Sequence, residues 1–291
     1  MHVRAVPIFA VAGACTWVCT AHLACSTGSA ASSTDAPVSQ PTQDSRTASD
    51  APVGITLPPV DPTFDYQLGT PYSPPPRTSV LARDRTAAPV PGLYNICYIN
   101  GFQLQPGEET WWQANHPALI LRDGSGTPIV DPNWNEMLFD VRTANNRSAL
   151  AAAMAPWFRD CRAKGFAAVE IDNLDSYTRS GNLLAASDAV AMMQAFSSLA
   201  HQNQLAIAQK NAAELLPMRT QMQTDFAVVE SCNEFSECSA YIEQYGNAVL
   251  MIEYQRTHFS RGCASYPGFG IVLRDLQLTA PGNGAYVFDA C

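Results

Sequence analysis

The chain has 291 residues, 47% of them hydrophobic and 15% charged, with a formal net charge of −9; this is enough for one large domain with a full core, or for two small ones. The acidic balance argues against nucleic acid, whose phosphates need a basic face. A modest negative charge suits a neutral or cationic partner, and solubility alone also explains it.

In chain order, residues 1–25 read as an export signal. Arg4 gives a short basic start, Ala5 to Leu23 form an apolar stretch broken by Pro7, and small residues lead to Cys25. A spanning helix needs about 20 apolar residues with suitable flanks, so a removable signal is expected. Cys25, or the Cys15 that ends Val11-Ala12-Gly13-Ala14-Cys15, could carry a lipid anchor to the membrane; free secretion is the alternative. Residues 26–53 are rich in Ser, Thr, Ala and Pro, with almost no large apolar side chains. Such a segment buries too little to offset its ordering entropy and is expected to be a disordered linker. Residues 54–291 then form a single domain, placed in a secreted, periplasmic or cell-surface setting. A monomer is expected.

Within that domain short apolar runs alternate with amphipathic stretches. The expected strands are Phe64–Leu68, Ser79–Arg83, Asn95–Asn100, Ala167–Asp172, Leu205–Lys210, Phe226–Glu230, Val249–Tyr254 and Gly270–Leu273. Leu150, Met154, Trp157 or Phe158, and Cys161 share one helical face, with Gly165 as its stop. Val190, Met193, Phe196 and Leu199 line a second helix, capped by Ser187 or Asp188. Ala212–Met222, disturbed by Pro217, and Cys238–Tyr245 are two further helices. Strand–helix alternation implies parallel pairing with right-handed crossovers. Eight strands fit the α/β class as a closed (β/α)₈ TIM-type barrel. The doubly wound alternative lacks a Gly-rich turn after any strand.

Of nine cysteines, Cys97, Cys161, Cys232, Cys238, Cys263 and Cys291 lie beyond the signal region. An even number in an exported chain predicts disulfides. The expected pairs are Cys232–Cys238 as a local clip, Cys263–Cys291 at the C-terminus, and Cys97–Cys161 joining a strand to a helix. A zinc site is the rival, but there is no CxxC pair and no histidine at ligand spacing.

The informative regularity is how the strands finish. One ends Val169-Glu170-Ile171-Asp172, another in Glu230, another in Glu253-Tyr254, and one in Lys210. Along the first, Val169 and Ile171 can face helices while Glu170 and Asp172 face inward. A single strand-end carboxylate ordinarily caps a helix or pairs with a cation. Four successive strands ending in ionisable groups favour a shared polar cleft, because barrel sites are built at the C-terminal strand ends. No GxSxG elbow or P-loop is present, and no HxH or HExxH pattern supports a metal; a carboxylate-only magnesium or calcium site at Asp172 and Asp175 stays open, although its loop lacks an ordered run of oxygen ligands. Glycoside cleavage needs little more than two carboxyl groups, one protonated and one ionised. Tyr98, Tyr177, Tyr254, Trp111 and Trp112 are available as sugar-stacking faces, whereas Trp157 reads as helix packing.

Several short segments, in order, resemble glycoside hydrolase family 114, the endo-α-1,4-polygalactosaminidases. They are Asp65-Tyr66-Gln67-Leu68, Cys97-Tyr98-Ile99-Asn100-Gly101, Phe139-Asp140-Val141-Arg142, Val169 through Tyr177, Gln209-Lys210-Asn211, Val229-Glu230-Ser231-Cys232 with Glu237-Cys238, and Ile252-Glu253-Tyr254. The resemblance implies a cofactor-free barrel acting on a galactosamine-rich exopolysaccharide. It places the catalytic pair on Asp172 and Glu230, as nucleophile and acid/base of a retaining mechanism. Lys210, Glu253 and Tyr254 would line the site, with Asp84, Gln67 and Tyr98 as further candidates; Glu170, Asn173, Asp175 and Tyr177 complete the substrate-binding set. The chain departs from the family at Val229-Glu230-Ser231-Cys232, where Asn-Glu-Gln-Cys is usual, and in the loop Gly101 to Pro106. Rival readings are a glycan-binding barrel without turnover and a structural surface lipoprotein.

Overall fold

The computed structural model describes residues 54–291. The expected export signal, linker and lipid anchor lie outside the described residues. The apolar runs become strands because alternation lets one set of side chains fill a barrel while the other set lies under helices. They are β1 (Phe64–Gln67), β2 (Val80–Asp84), β3 (Tyr94–Asn100), β4 (Ala168–Asp172), β5 (Ala206–Lys210), β6 (Phe226–Glu230), β7 (Val249–Glu253) and β8 (Gly270–Arg274). Each lies within one residue of its expected ends. All seven consecutive pairings are parallel, and a short β9 (Phe288–Ala290) adds antiparallel to β8. The sheet curls until β8 meets β1, where buried Arg274 donates to the Tyr66 carbonyl and pairs with Asp65 at 3.2 Å. This is the expected (β/α)₈ barrel.

The helical layer is α1 (Glu109–Asn115), α2 (Ala144–Lys164), α3 (Ala186–Gln202), α4 (Arg219–Met222), α5 (Cys232–Phe235), α6 (Cys238–Tyr245) and α7 (Arg256–Ser265). Thr143 opens α2 by accepting from the Asn146 amide at 3.1 Å, and Gly165 ends it at φ 103°, a conformation open to glycine at little cost. Leu150, Met154, Phe158 and Cys161 form its buried stripe as expected. At α3, Asp188 makes the capping contact, accepting from the Ala185 amide at 2.9 Å. Two expectations change. No helix joins β1 to β2 or β2 to β3, because residues 68–79 and 85–93 contain Pro71, Pro74, Pro75, Pro76, Pro89 and Pro91, which remove helical donors and clash with the preceding turn. Ala212–Met222 is not one helix: a 3₁₀ turn, Ala213–Met218, holds Pro217, and only then does the four-residue α4 begin.

Inside the barrel, Phe64, Tyr66 and Phe226 are accommodated by small neighbours, Ala82, Ala168, Ala206 and Ala208. Outside, Ile99, Val169, Ile171 and Ile207 join Leu150, Met154, Phe158, Met193 and Phe196 in one core cluster. Each fully buried large apolar side chain contributes about 1.5–3 kcal/mol. Gly101 is demanded by this packing, since a Cβ there would lie 2.4 Å from Ile171 Cγ2. Among the described residues the three disulfides are those expected: Cys97–Cys161, Cys232–Cys238 and Cys263–Cys291. The first, spanning 64 residues, ties the outer face of β3 to α2.

Candidate active site

Strand parity decides which side chains reach the barrel mouth. Tyr66 of β1, Tyr98 of β3, Glu170 and Asp172 of β4, Lys210 of β5, Glu230 of β6 and Tyr254 after β7 continue the inward-facing rows that include Ile96, Ala168, Ala208, Val228 and Ile252. They converge on Lys210. Its side chain is 2% exposed, and its Nζ lies 3.2 Å from Glu170 Oε1, 3.2 Å from Asp172 Oδ1 and 3.1 Å from Glu230 Oε2 and donates to the Tyr66 hydroxyl at 3.1 Å. Asp172 Oδ1 and Glu230 Oε2 therefore lie no further apart than the sum of their distances to that nitrogen, about 6.3 Å. Both remain open to solvent, with side chains 21% and 27% exposed.

The hydrogen bonds divide the three carboxylates by role. Tyr98 donates to Asp172 Oδ2 at 2.7 Å. Tyr254 donates to Glu230 Oε1, and Asn211 grips Glu230 twice, donating to Oε2 and accepting from its backbone amide, each at 2.8 Å. Tyr66 donates to Glu170 Oε1 at 2.6 Å, while Glu170 Oε2 is buried without a partner. Burial opposes the ionised form of Asp172, but Lys210, Tyr98 and the Asn173 amide outweigh it and hold its pKa below the ordinary value. For Glu170 burial wins over Lys210 and pushes the pKa up to about 7. Burial also works against a charged Lys210, yet the surrounding Asp172, Glu230 and Glu170 raise its pKa well above the usual value. Burial, followed by the nearby carboxylates, keeps Tyr66, Tyr98 and Tyr254 protonated as donors.

The chain leaves β4, β5 and β6 through left-handed residues: Asn173 (φ 63°) after β4, Asn211 and Ala212 (φ 47° and 58°) after β5, and Ser231 (φ 55°) after β6. Such conformations concentrate at functional sites. Here the sharp exits let each strand end on its ionisable group. Residues 43–291 match the glycoside-hydrolase family GH114. The chain belongs to this family.

As a GH114 member it is a glycoside hydrolase. Its structure is similar to that of Ega3 from Aspergillus fumigatus in complex with galactosamine, with a TM-score of 0.64 and 19% identity over 81% of this chain and 97% of that one. It is also similar to the glycoside hydrolase domain of PelA from Pseudomonas aeruginosa, with a TM-score of 0.52 and 14% identity over 76% of this chain and 97% of that domain. These likenesses show the same barrel fold. No curated protein matches the chain.

The remaining predicted residues of this GH114 chain fall outside the cluster in different ways. Glu253 is a correction: it lies on β7 with outward parity, 1% exposed, and accepts from the Asn233 amide and side chain at 2.9 and 3.1 Å under the helical layer. Gln67 is a second correction. It also faces outward, donating to Asp65 at 2.6 Å and accepting from Arg83 at 3.0 and 2.9 Å. Asp84 has inward parity, but it braces loops, accepting from Thr86 and from Gln105 Nε2 at 2.7 Å. In the loop after β4, Asn173 donates to Asn100 at 3.0 Å, Asp175 pairs with Arg179 at 2.7 Å, and Tyr177 donates to Glu214. Trp112 is fully buried, edge-on to Phe139 and Trp157, so it is core; Trp111 stays 49% exposed. Tyr66 and Asn211 are members of the cluster that the sequence left unassigned. Alternation from Phe64 would have selected Tyr66, whereas Asn211 carries no such signal. Among the described residues, one grouping of metal-type donors exists, Cys232, Cys238 and Glu253; its two sulfurs are joined in a disulfide and offer no thiolate.

Proposed function

We propose that this protein is an exported, retaining glycosidase that cleaves α-1,4-linked galactosamine-containing polysaccharide, with Asp172 as nucleophile and Glu230 as acid/base. The observation that carries the reading is Lys210 seated between the two carboxyls. The limit of about 6.3 Å between Asp172 Oδ1 and Glu230 Oε2 brings the two carboxyls across one gap and is compatible with the close pair of a retaining enzyme, about 5–5.5 Å apart. Asp172 attacks the anomeric carbon as the glycosidic C–O bond breaks, and Glu230 gives its proton to the departing oxygen. Water then loses a proton to Glu230, attacks the same carbon and frees Asp172. One negative charge thus passes from Asp172 to Glu230 and back, and Lys210 lies within 3.2 Å of both sites. A fixed cation between them lowers the cost of that transfer without rearrangement.

Galactosamine as substrate is supported by family membership and by the sugar named in the Ega3 complex. Export is supported by the signal-like residues 1–25 and by three disulfides, which persist in oxidising compartments. In the same reading residues 26–53 tether the catalytic domain, residues 54–291. The test incubates the purified protein with an α-1,4-galactosamine polymer and follows fragment release and the anomer formed first. Fragments of retained configuration, lost in Asp172→Asn and Glu230→Gln, are expected. Binding without fragments would leave a glycan-binding barrel instead.

A further inference from the structure

Between β3 and α2 the chain makes an excursion folded by short antiparallel bridges, Gln103↔Leu138, Ile120↔Phe139 and Val130↔Met137. Buried Leu138 and Phe139 anchor it. A turn closed by Asp131 accepting from the Asn135 amide and donating to the Glu136 carbonyl, each at 2.8 Å, then fixes where Glu136 sits. The Glu136 carboxylate reaches the barrel mouth: Oε2 accepts from Asn100 Nδ2 at 2.8 Å, and Asn100 is the register partner of Asp172 at the ends of β3 and β4. Glu136 is half-buried and has no ion-pair partner among the described residues. The charged groups that act on it most strongly are carboxylates. Burial, with Asp172, Asp131 and Glu109 nearby, pushes its pKa up to about 7 despite the Asn100 hydrogen bond. Asp131 is matched by Arg179 and Asp172 by Lys210, whereas Glu136 makes no ion pair among the described residues. The same turn leaves Trp134 50% exposed, and an exposed indole offers a face on which a sugar can stack.

We infer that Glu136 is a specificity-determining residue that receives the 2-ammonium group of a de-N-acetylated galactosamine unit beside the cleavage point. The inference rests on the galactosamine reading above and names the group that would distinguish the amine from its acetamide. A bound ammonium supplies the missing counter-charge, and Oε1 is left to accept from it while Asn100 holds Oε2. An acetamide brings no charge and adds bulk at the same place.

The test measures kcat/KM of the full-length protein and of Glu136→Gln on defined α-1,4-galactosamine oligosaccharides and on their N-acetylated counterparts. Gln keeps an acceptor for Asn100 and removes only the charge; Glu136→Asp is the charge-retaining control. The wild type is expected to prefer the amine. The ratio of the two kcat/KM values should fall about tenfold or more in Glu136→Gln, in keeping with loss of a charged hydrogen bond, and Glu136→Asp should restore part of it. A ratio that does not move in Glu136→Gln overturns the inference while leaving galactosamine cleavage intact. A wild type that prefers the acetylated oligomer also overturns it. If the wild type cleaves neither oligomer, the substrate reading fails and this inference falls with it.

Discussion

Glu230 at the end of β6 and Glu253 at the end of β7 look alike in the chain, each a carboxylate closing a run of apolar residues. In the barrel they part. Glu230 faces inward, meets Lys210 at 3.1 Å and is 27% exposed. Glu253 faces outward, 1% exposed, and spends one oxygen on Asn233. The next residue, Tyr254, takes the inward place and reaches Glu230. A strand-end position makes a carboxylate eligible for a barrel site, but the phase of alternation decides whether it enters.

The largest test of that contrast removes the inward pair. Asp172→Asn or Glu230→Gln should lower kcat by about 10³-fold or more, measured as fragment release, because in the proposed mechanism one supplies the nucleophile and the other relays the proton; a loss below about tenfold would break the assignment. Lys210→Met should follow, lowering kcat by about 10²–10³-fold through loss of fixed charge stabilisation. It should also lower Tm, since Glu170 would be left buried without its cation.

Glu170 gives a sharper probe, through stability instead of turnover. Its folded pKa is raised from 4.5 to about 7, so between those values the folded state holds more proton than the unfolded chain. Stability from this group therefore falls as pH rises through that window, by about 3 kcal/mol at most, and is highest below pH 4.5. Glu170→Gln should flatten that fall relative to wild type in denaturant titrations at several pH values; parallel curves would refute it. Asp172 works the other way. Its depressed pKa gives stability that is present above its unfolded value and lost as pH falls through the folded one. The smallest effect belongs to the outward face. Glu253→Ala should cost about 1–3 kcal/mol by stranding the Asn233 donors. It should lower kcat by less than the about hundredfold minimum of a general acid–base group, and a larger loss would bring Glu253 into the machinery.

Much of this was legible beforehand for local reasons. Apolar runs bounded by Gly, Pro and polar residues located all eight barrel strands, and the stripe from Leu150 to Cys161 located α2. The pair Asp172 and Glu230 came from strand-end position together with the family motifs. Glu253 was misplaced because strand-end position was read there without its phase, and Gln67 because the family resemblance carried it over without regard to phase; counting alternate residues from Phe64 and Leu250 selects Tyr66 and keeps Tyr254. Asn211 was out of reach, because its role depends on Glu230, 19 residues away.

By itself the sequence determined the succession of strands and helices, the eligible carboxylates and the even set of cysteines. Hydrophobic periodicity and strand-end position are properties of neighbours along the chain, so they need no fold to be read. Only the tertiary structure decided that Lys210 joins Glu170, Asp172 and Glu230, that Tyr66 reaches a carboxylate 104 residues away, and that Glu136 arrives at the mouth with no ion pair among the described residues. Those are distances between strands brought together by barrel closure, and electrostatics depends on such distances and on burial, not on separation along the chain.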